Sequence, residues 1–198
     1  SSNEKERLLS KYEMAKAGSS SPSSKATDTV SSFSFDLAKK GNHTLGLFNT
    51  YGGNWNHPHF KAVYKASKLC AAFDLDLALI GFPAISSEKL VKEVNKEMRV
   101  TRNDFLSELL SLERVVFFEK DIDESLTGKK VVTTSNPDTN KTTLPSEKLC
   151  MVMGLGPKGL PKSYINKSDY HFELTGLNVA FETGTAMGAL SSELAQLS

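Results

Sequence analysis

Short, almost unbroken apolar runs recur along this chain, separated by segments of helical periodicity. The runs "HTLGLFNT", "DLALIGF", "RVVFFE", "KKVVTTS" and "LCMVM" have strand length, and their lack of polar alternation means that both faces are covered. From Pro58 to Phe73 the residues Phe60, Val63, Tyr64, Ser67 and Ala71 fall at helical intervals, with Pro58 suited to the first turn. Ser86 or Ser87 caps a further helix that runs to about Lys96, and Asn103 caps another to Leu112. "KDIDESLTG" reads as a turn-rich connection and "NPDTNKTTLP" as a polar loop. Strands that alternate with helices in this way predict an α/β fold, a mostly parallel sheet with helices on both faces.

The most informative stretch runs from Glu147 to Leu190. The run Leu149 to Met153 ends abruptly, and Gly154, Gly156 and Gly159 then crowd six residues together with Pro157. Each glycine inside a helix would cost about 1 kcal/mol against alanine, so this is a loop, and its glycines let backbone approach a ligand. A short helix from Pro161 to Tyr170, a strand from His171 to Leu174, a second small-residue loop and a helix from Thr183 to Gln196 complete the expectation. Two strands thus deliver two ligand-competent loops at their carboxyl ends, where open α/β sheets bind ligands.

Length and composition exclude several classes. At 198 residues the chain suits one ordinary domain with a small appendage, and its formal net charge of +1 confines any nucleic-acid contact to a local patch. Cys70 and Cys150 lie far apart in apolar surroundings, without metal-ligand spacing, and read as buried reduced thiols of a cytoplasmic protein with no structural metal. No apolar run approaches the ~20 residues of a membrane span, and no signal-peptide layout opens the sequence. Residues 1–41 read as one amphipathic helix, Asn3 to Ala17, followed by a serine-rich extension; residues 42–198 form the main domain.

The strings "LGLFNTY", "GFP", "VVTTSNPD", "GLGPKGLPK" and "ETGTAMGA" are similar to an uncharacterised archaeal family within the SPOUT, or α/β-knot, superfamily of S-adenosylmethionine-dependent methyltransferases. The resemblance spans roughly His43 to Leu194. It implies a carboxyl-terminal trefoil knot, unusual because true knots are otherwise essentially absent from proteins. It also implies a homodimer acting on RNA, with S-adenosylmethionine held by three loops at residues 134–140, 154–160 and 174–185.

The resemblance places Thr134, Ser135, Gly154, Leu155, Gly156, Gly159, Leu160, Leu174, Thr175 and Gly176 around the cofactor. In the third loop two registers are open. One turns Asn178 of "LNVAFE" toward the cofactor; the other, preferred because orphan N–H groups at a helix start need partners, assigns Glu182, Thr183 and Thr185. Glu182 would also balance a sulfonium charge. RNA-methylating members often carry an arginine in the first helix, and the matching position here is Lys65, a departure because lysine lacks the bidentate fork. Lys65 would hold a phosphate or, desolvated, act as a base, and His57 and His59 flank Pro58 as candidate proton acceptors or phosphate contacts. Asn49 and Tyr51 are placed to orient a substrate, His43 and His171 to satisfy strand ends. Lys61, Lys65, Lys158 and Lys162 form the candidate RNA contacts. Two other readings stay open: a binding module of the same fold without turnover, and an unknotted nucleotide-binding α/β domain.

Overall fold

The structure, a computed structural model, describes residues 36–197. The amino-terminal helix and most of the serine-rich tract expected from sequence lie outside the described residues. Among the described residues there are six strands: β1 (His43–Phe48), β2 (Leu75–Ile80), β3 (Val115–Phe118), β4 (Lys129–Thr133), β5 (Leu149–Gly154) and β6 (His171–Phe172). They form one sheet in the order β3-β2-β1-β5-β4-β6, and every pairing is parallel. The helices are α1 (His57–Phe73), α2 (Ser87–Met98), α3 (Asp104–Ser111), α4 (Glu124–Thr127), α5 (Lys162–Lys167) and α6 (Thr183–Gln196).

Side-chain alternation along the strands divides the interior in two. Leu45, Leu47, Leu75, Leu77, Leu79, Val131, Leu149, Met151 and Met153 face α1, α2, α3 and α6, which supply Val63, Ala66, Leu90, Val94, Leu106, Leu109, Met187, Leu190 and Leu194. Each large aliphatic side chain so buried contributes about 1.5–3 kcal/mol. The opposite face carries Ala78, Ile80, Val132, Cys150 and Val152, packed by Leu160, Ile122 and the α5 residues Tyr164 and Ile165. Helices do lie on both faces, but unevenly: four stand on one, and the other has short segments. The turn-rich connection expected at "KDIDESLTG" contains the four-residue α4.

Helix starts follow local chemistry. Ser86 Oγ accepts from the Lys89 N–H, and Asn103 Oδ1 accepts from the Leu106 N–H. α1 starts at Asn56 with His59 three residues on; the Asn56 N–H donates to His59 Nδ1 at 3.0 Å. His59 is wholly buried, 0% exposed, beside Tyr51, Trp55 and Phe82. Read from sequence as a candidate proton acceptor or phosphate contact, it serves here as a buried helix cap.

At the amino-terminal edge of the sheet, Arg114 is 1% exposed and fully engaged. Its guanidinium donates to Asp76 Oδ1, Asp74 Oδ1 and the carbonyls of Ala38 and Leu75, while Lys148 Nζ reaches Asp76 Oδ2 at 2.7 Å. Both cysteines are free and buried, as expected. Burial pushes both thiols up, that of Cys150 to about 12.

Candidate cofactor site

A cavity of about 650 Å³ opens at the carboxyl ends of β4, β5 and β6, within the range of small-molecule sites. Three loops build it. From the first come Thr134 and Ser135; the Thr134 N–H donates to the Phe172 carbonyl, tying this loop to β6. Asp138 further along donates its N–H to His171 Nδ1, so His171 satisfies a strand end as expected.

The second loop contributes Gly154, Gly156, Lys158, Gly159 and Leu160. It folds tightly: Gly159 takes a φ of 67° and donates its N–H to the Gly156 carbonyl. A Cβ on Gly154 would lie 2.8 Å from the Gly159 carbonyl carbon, and one on Gly156 2.5 Å from Thr50 Oγ1. Glycine is required at both places by close approach. Gly154, Gly156 and Gly159 have the GxGxxG spacing of dinucleotide-binding turns, but this loop follows β5 and leads into the six-residue α5 rather than a long helix. Leu155 departs from expectation. It continues the phase of Leu149, Met151 and Met153 into the helix-covered core and does not line the cavity.

From the third loop come Glu173, Leu174, Thr175, Val179, Phe181, Glu182 and Thr183. Glu173 organises it. Its Oε1 accepts from the Asn178 N–H at 2.6 Å and from the Thr175 hydroxyl at 3.2 Å, and Thr175 Oγ1 accepts from the N–H groups of Leu177 and Val179. Glu182 caps α6: its Oε1 accepts from the Thr185 N–H at 2.8 Å and the Thr185 hydroxyl at 3.1 Å. Those two bonds hold its carboxyl below the usual carboxylate range, with help from the Lys65 charge. The structure thus places Glu182 and Thr183 at the helix start, while Asn178, at a φ of 55°, is a turn residue. Thr185 is spent on the cap and Gly176 stands in an open turn; neither lines the cavity.

Lys65 lies beside this helix start: a Cβ on Gly184 would meet its Nζ at 3.0 Å and Glu182 Oε1 at 2.9 Å. It adjoins the cavity without lining it. His57 is 63% exposed and pairs through Nδ1 with Glu97 of α2, away from the three loops. Of the candidate RNA-contacting lysines, Lys158 lines the cavity, and Lys61, Lys65 and Lys162 are exposed and do not line it. Asn49 is buried and shapes the β1 loop, its amide donating to the Asn54 and Gly81 carbonyls and its Oδ1 accepting from the Tyr51 N–H. Tyr51 does line the cavity. Glu173, Phe172 and Phe181 also line it and were not among the sequence candidates. For Phe181 the apolar residues between Gly176 and Glu182 were the available signal.

No protein-family model matches this chain. An uncharacterized protein of Methanocaldococcus jannaschii is 29% identical over 157 residues, 74% of this chain and 89% of that relative. Among solved structures, one provisionally named a methylase family protein, from Neisseria gonorrhoeae, superposes with a TM-score of 0.52 at 13% identity, covering 86% of each chain. A probable methyltransferase from Bordetella pertussis Tohama I gives a TM-score of 0.50 at 13% identity over 79% of this chain and 96% of its own. At these identities the likeness is one of fold. The fold is similar to that of these two solved structures, and the uncharacterized relative in sequence named above is archaeal.

Proposed function

We propose that this chain is an S-adenosylmethionine-dependent methyltransferase of the SPOUT type that modifies RNA as a homodimer. The observation that carries the reading is the cavity itself: two small-residue loops, which follow β5 and β6 on either side of β4, meet at the carboxyl end of a sheet with this strand order. Its lining suits an adenosyl group. Met153, Leu160, Leu174 and Leu190 offer apolar walls, while glycine backbone at 154, 156 and 159 is free to approach closely. The cofactor would supply a methyl group on a sulfonium with a neutral thioether leaving group. This chain's residues would hold that group, exclude water and align the acceptor, and alignment alone lowers a barrier by about 7–11 kcal/mol.

The reading includes a threaded tail. β6 pairs with β4 on the side away from β5, yet α6 returns to pack on α1, β1 and β5. In this reading that path would carry the chain back across the loop of residues 134–148, as the knot requires. Residues 42–198 would be the methyltransferase domain and 1–41 an extension, and two unpaired buried thiols suit a cytoplasmic setting. Lys158 of the cavity lining, together with the exposed Lys61, Lys65 and Lys162, would meet the RNA backbone. The catalytic candidates are Lys65 and Glu182, which adjoin each other at the start of α6; His57, paired with Glu97, would act only once released.

Transfer of tritiated methyl groups to total archaeal RNA tests this. Incorporation that depends on Gly156 is expected. Tight cofactor binding with no transfer to RNA, protein or small-molecule acceptors would favour the non-catalytic module, a reading to which lysine in place of the usual arginine lends weight.

A further inference from the structure

We infer that Glu173 is the group through which the cavity recognises a positively charged centre of its ligand; the inference rests on the reading of the cavity as an S-adenosylmethionine site. Glu173 directly follows β6 and is half-buried at the cavity wall. Oε1 is occupied by the Asn178 N–H and the Thr175 hydroxyl, both uncharged donors. Oε2 takes no hydrogen bond among the described residues, and Glu173 forms no ion pair there. Lys158 also lines the cavity, but it is exposed and unpaired with this carboxylate.

Phe172, Leu174, Val179 and Phe181 line the same cavity, so a ligand seated there would shield this carboxylate from water and a cation on the ligand would answer its charge. The other acid of the cavity is placed differently. Glu182 spends Oε1 on the Thr185 cap and has Lys65 beside it, so its charge is answered from within the chain. Glu173 keeps its charge available, and its clasp on residues 175–179 fixes where that charge points. An S-adenosylmethionine molecule carries two matching centres, the sulfonium and the α-ammonium.

Calorimetry on the full chain with three adenosyl ligands tests the assignment. S-adenosylmethionine has both cationic centres, S-adenosylhomocysteine only the ammonium, and 5′-methylthioadenosine neither. Glu173→Gln removes the charge but keeps an oxygen that accepts the same two hydrogen bonds, and matching melting temperatures would confirm an intact loop. The expected result is a loss of about tenfold or more in S-adenosylmethionine affinity with methylthioadenosine changed less than about threefold, as for loss of one charge pair. A matching loss for S-adenosylhomocysteine would assign the ammonium, and an unchanged affinity the sulfonium. Thr175→Val, which loosens the clasp without touching the charge, should weaken all three ligands alike. Equal losses for all three ligands in Glu173→Gln, or no loss of S-adenosylmethionine, would overturn the role of Glu173. Failure of the wild-type chain to bind any of the three would instead remove the cofactor reading on which it stands.

Discussion

The loop after β5 is seated against the end of β1 so closely that a Cβ on Gly156 would stand 2.5 Å from Thr50 Oγ1. The contact joins the glycine loop to the strand that carries Tyr51 into the same cavity. A side chain at position 156 must therefore move one of the two loops. Gly156→Ala is expected to weaken adenosyl-ligand binding by about tenfold, the scale of a misfitted pocket contact of ~1–3 kcal/mol. Thr50 Oγ1 is buried without a hydrogen-bond partner, so its removal leaves no orphaned group. Thr50→Ala should accordingly restore much of the affinity lost in Gly156→Ala, as read by calorimetry on the single and double variants. Additive losses would contradict the contact.

Arg114 ties β2, β3 and the segment before β1 together through four acceptors. Its replacement by leucine strands Asp76 with a single cationic partner, Lys148. Breaking one side of a buried ionic network costs about 3–5 kcal/mol, which urea unfolding should register as a lower midpoint with little change in slope. Cofactor affinity at the opposite end of the sheet should hold under native conditions.

Two imidazoles set the acid response. Burial lowers the pKa of His43 and of His59, and each accepts a backbone N–H at Nδ1, from Leu149 and Asn56. The unfolded chain therefore takes up protons first, near pH ~6.5. Stability from these two groups is complete above that value and declines as pH falls through it toward their lower folded values. A second decline belongs below pH ~4, where Asp121, Asp123 and Glu182, all held below the usual range, lose charge. Melting temperatures between pH 8 and 5 should fall below pH ~6.5; a flat profile would contradict the neutral, bonded imidazoles.

Cys70 and Cys150 are wholly buried with raised pKa values, so neither offers a thiolate to reagents. A thiol-specific chromogen at pH 8 should label neither residue in the native chain and both in denaturant. Rapid labelling of the native chain would place one of them at a surface.

Glu182→Ala removes the cap of α6. Hydrogen exchange at the Thr185 amide should accelerate while the amides around Met187 and Leu190, anchored in the core, keep their protection. Equal acceleration throughout the helix would mean that the cap holds more than its own turn.

Elements with a local cause were readable in advance. Ser86 and Asn103 cap helices, Glu182 opens the last one, and unbroken apolar runs become a wholly parallel sheet because nothing in those signals depends on distant chain. The resemblance assigns Leu155 to the cofactor, although period-two alternation from Leu149 already carries it into the core. Other features exist only after folding. His59 looks like a loop histidine until Trp55 and Phe82 close around it. Glu173 shows no local pattern, because its importance lies in what the loop returning to Asn178 brings within reach. The uneven division of helices between the two faces likewise follows from strand order, which spacing along a chain does not encode.

The most direct measurement is a crystal structure of the chain soaked with S-adenosylmethionine. The account predicts adenosyl density between the loops of residues 154–160 and 173–183, the charged end toward Glu173, with the tail passing through the loop of residues 134–148. Density at another site, an empty cavity at millimolar ligand, or a tail that passes outside that loop would contradict it.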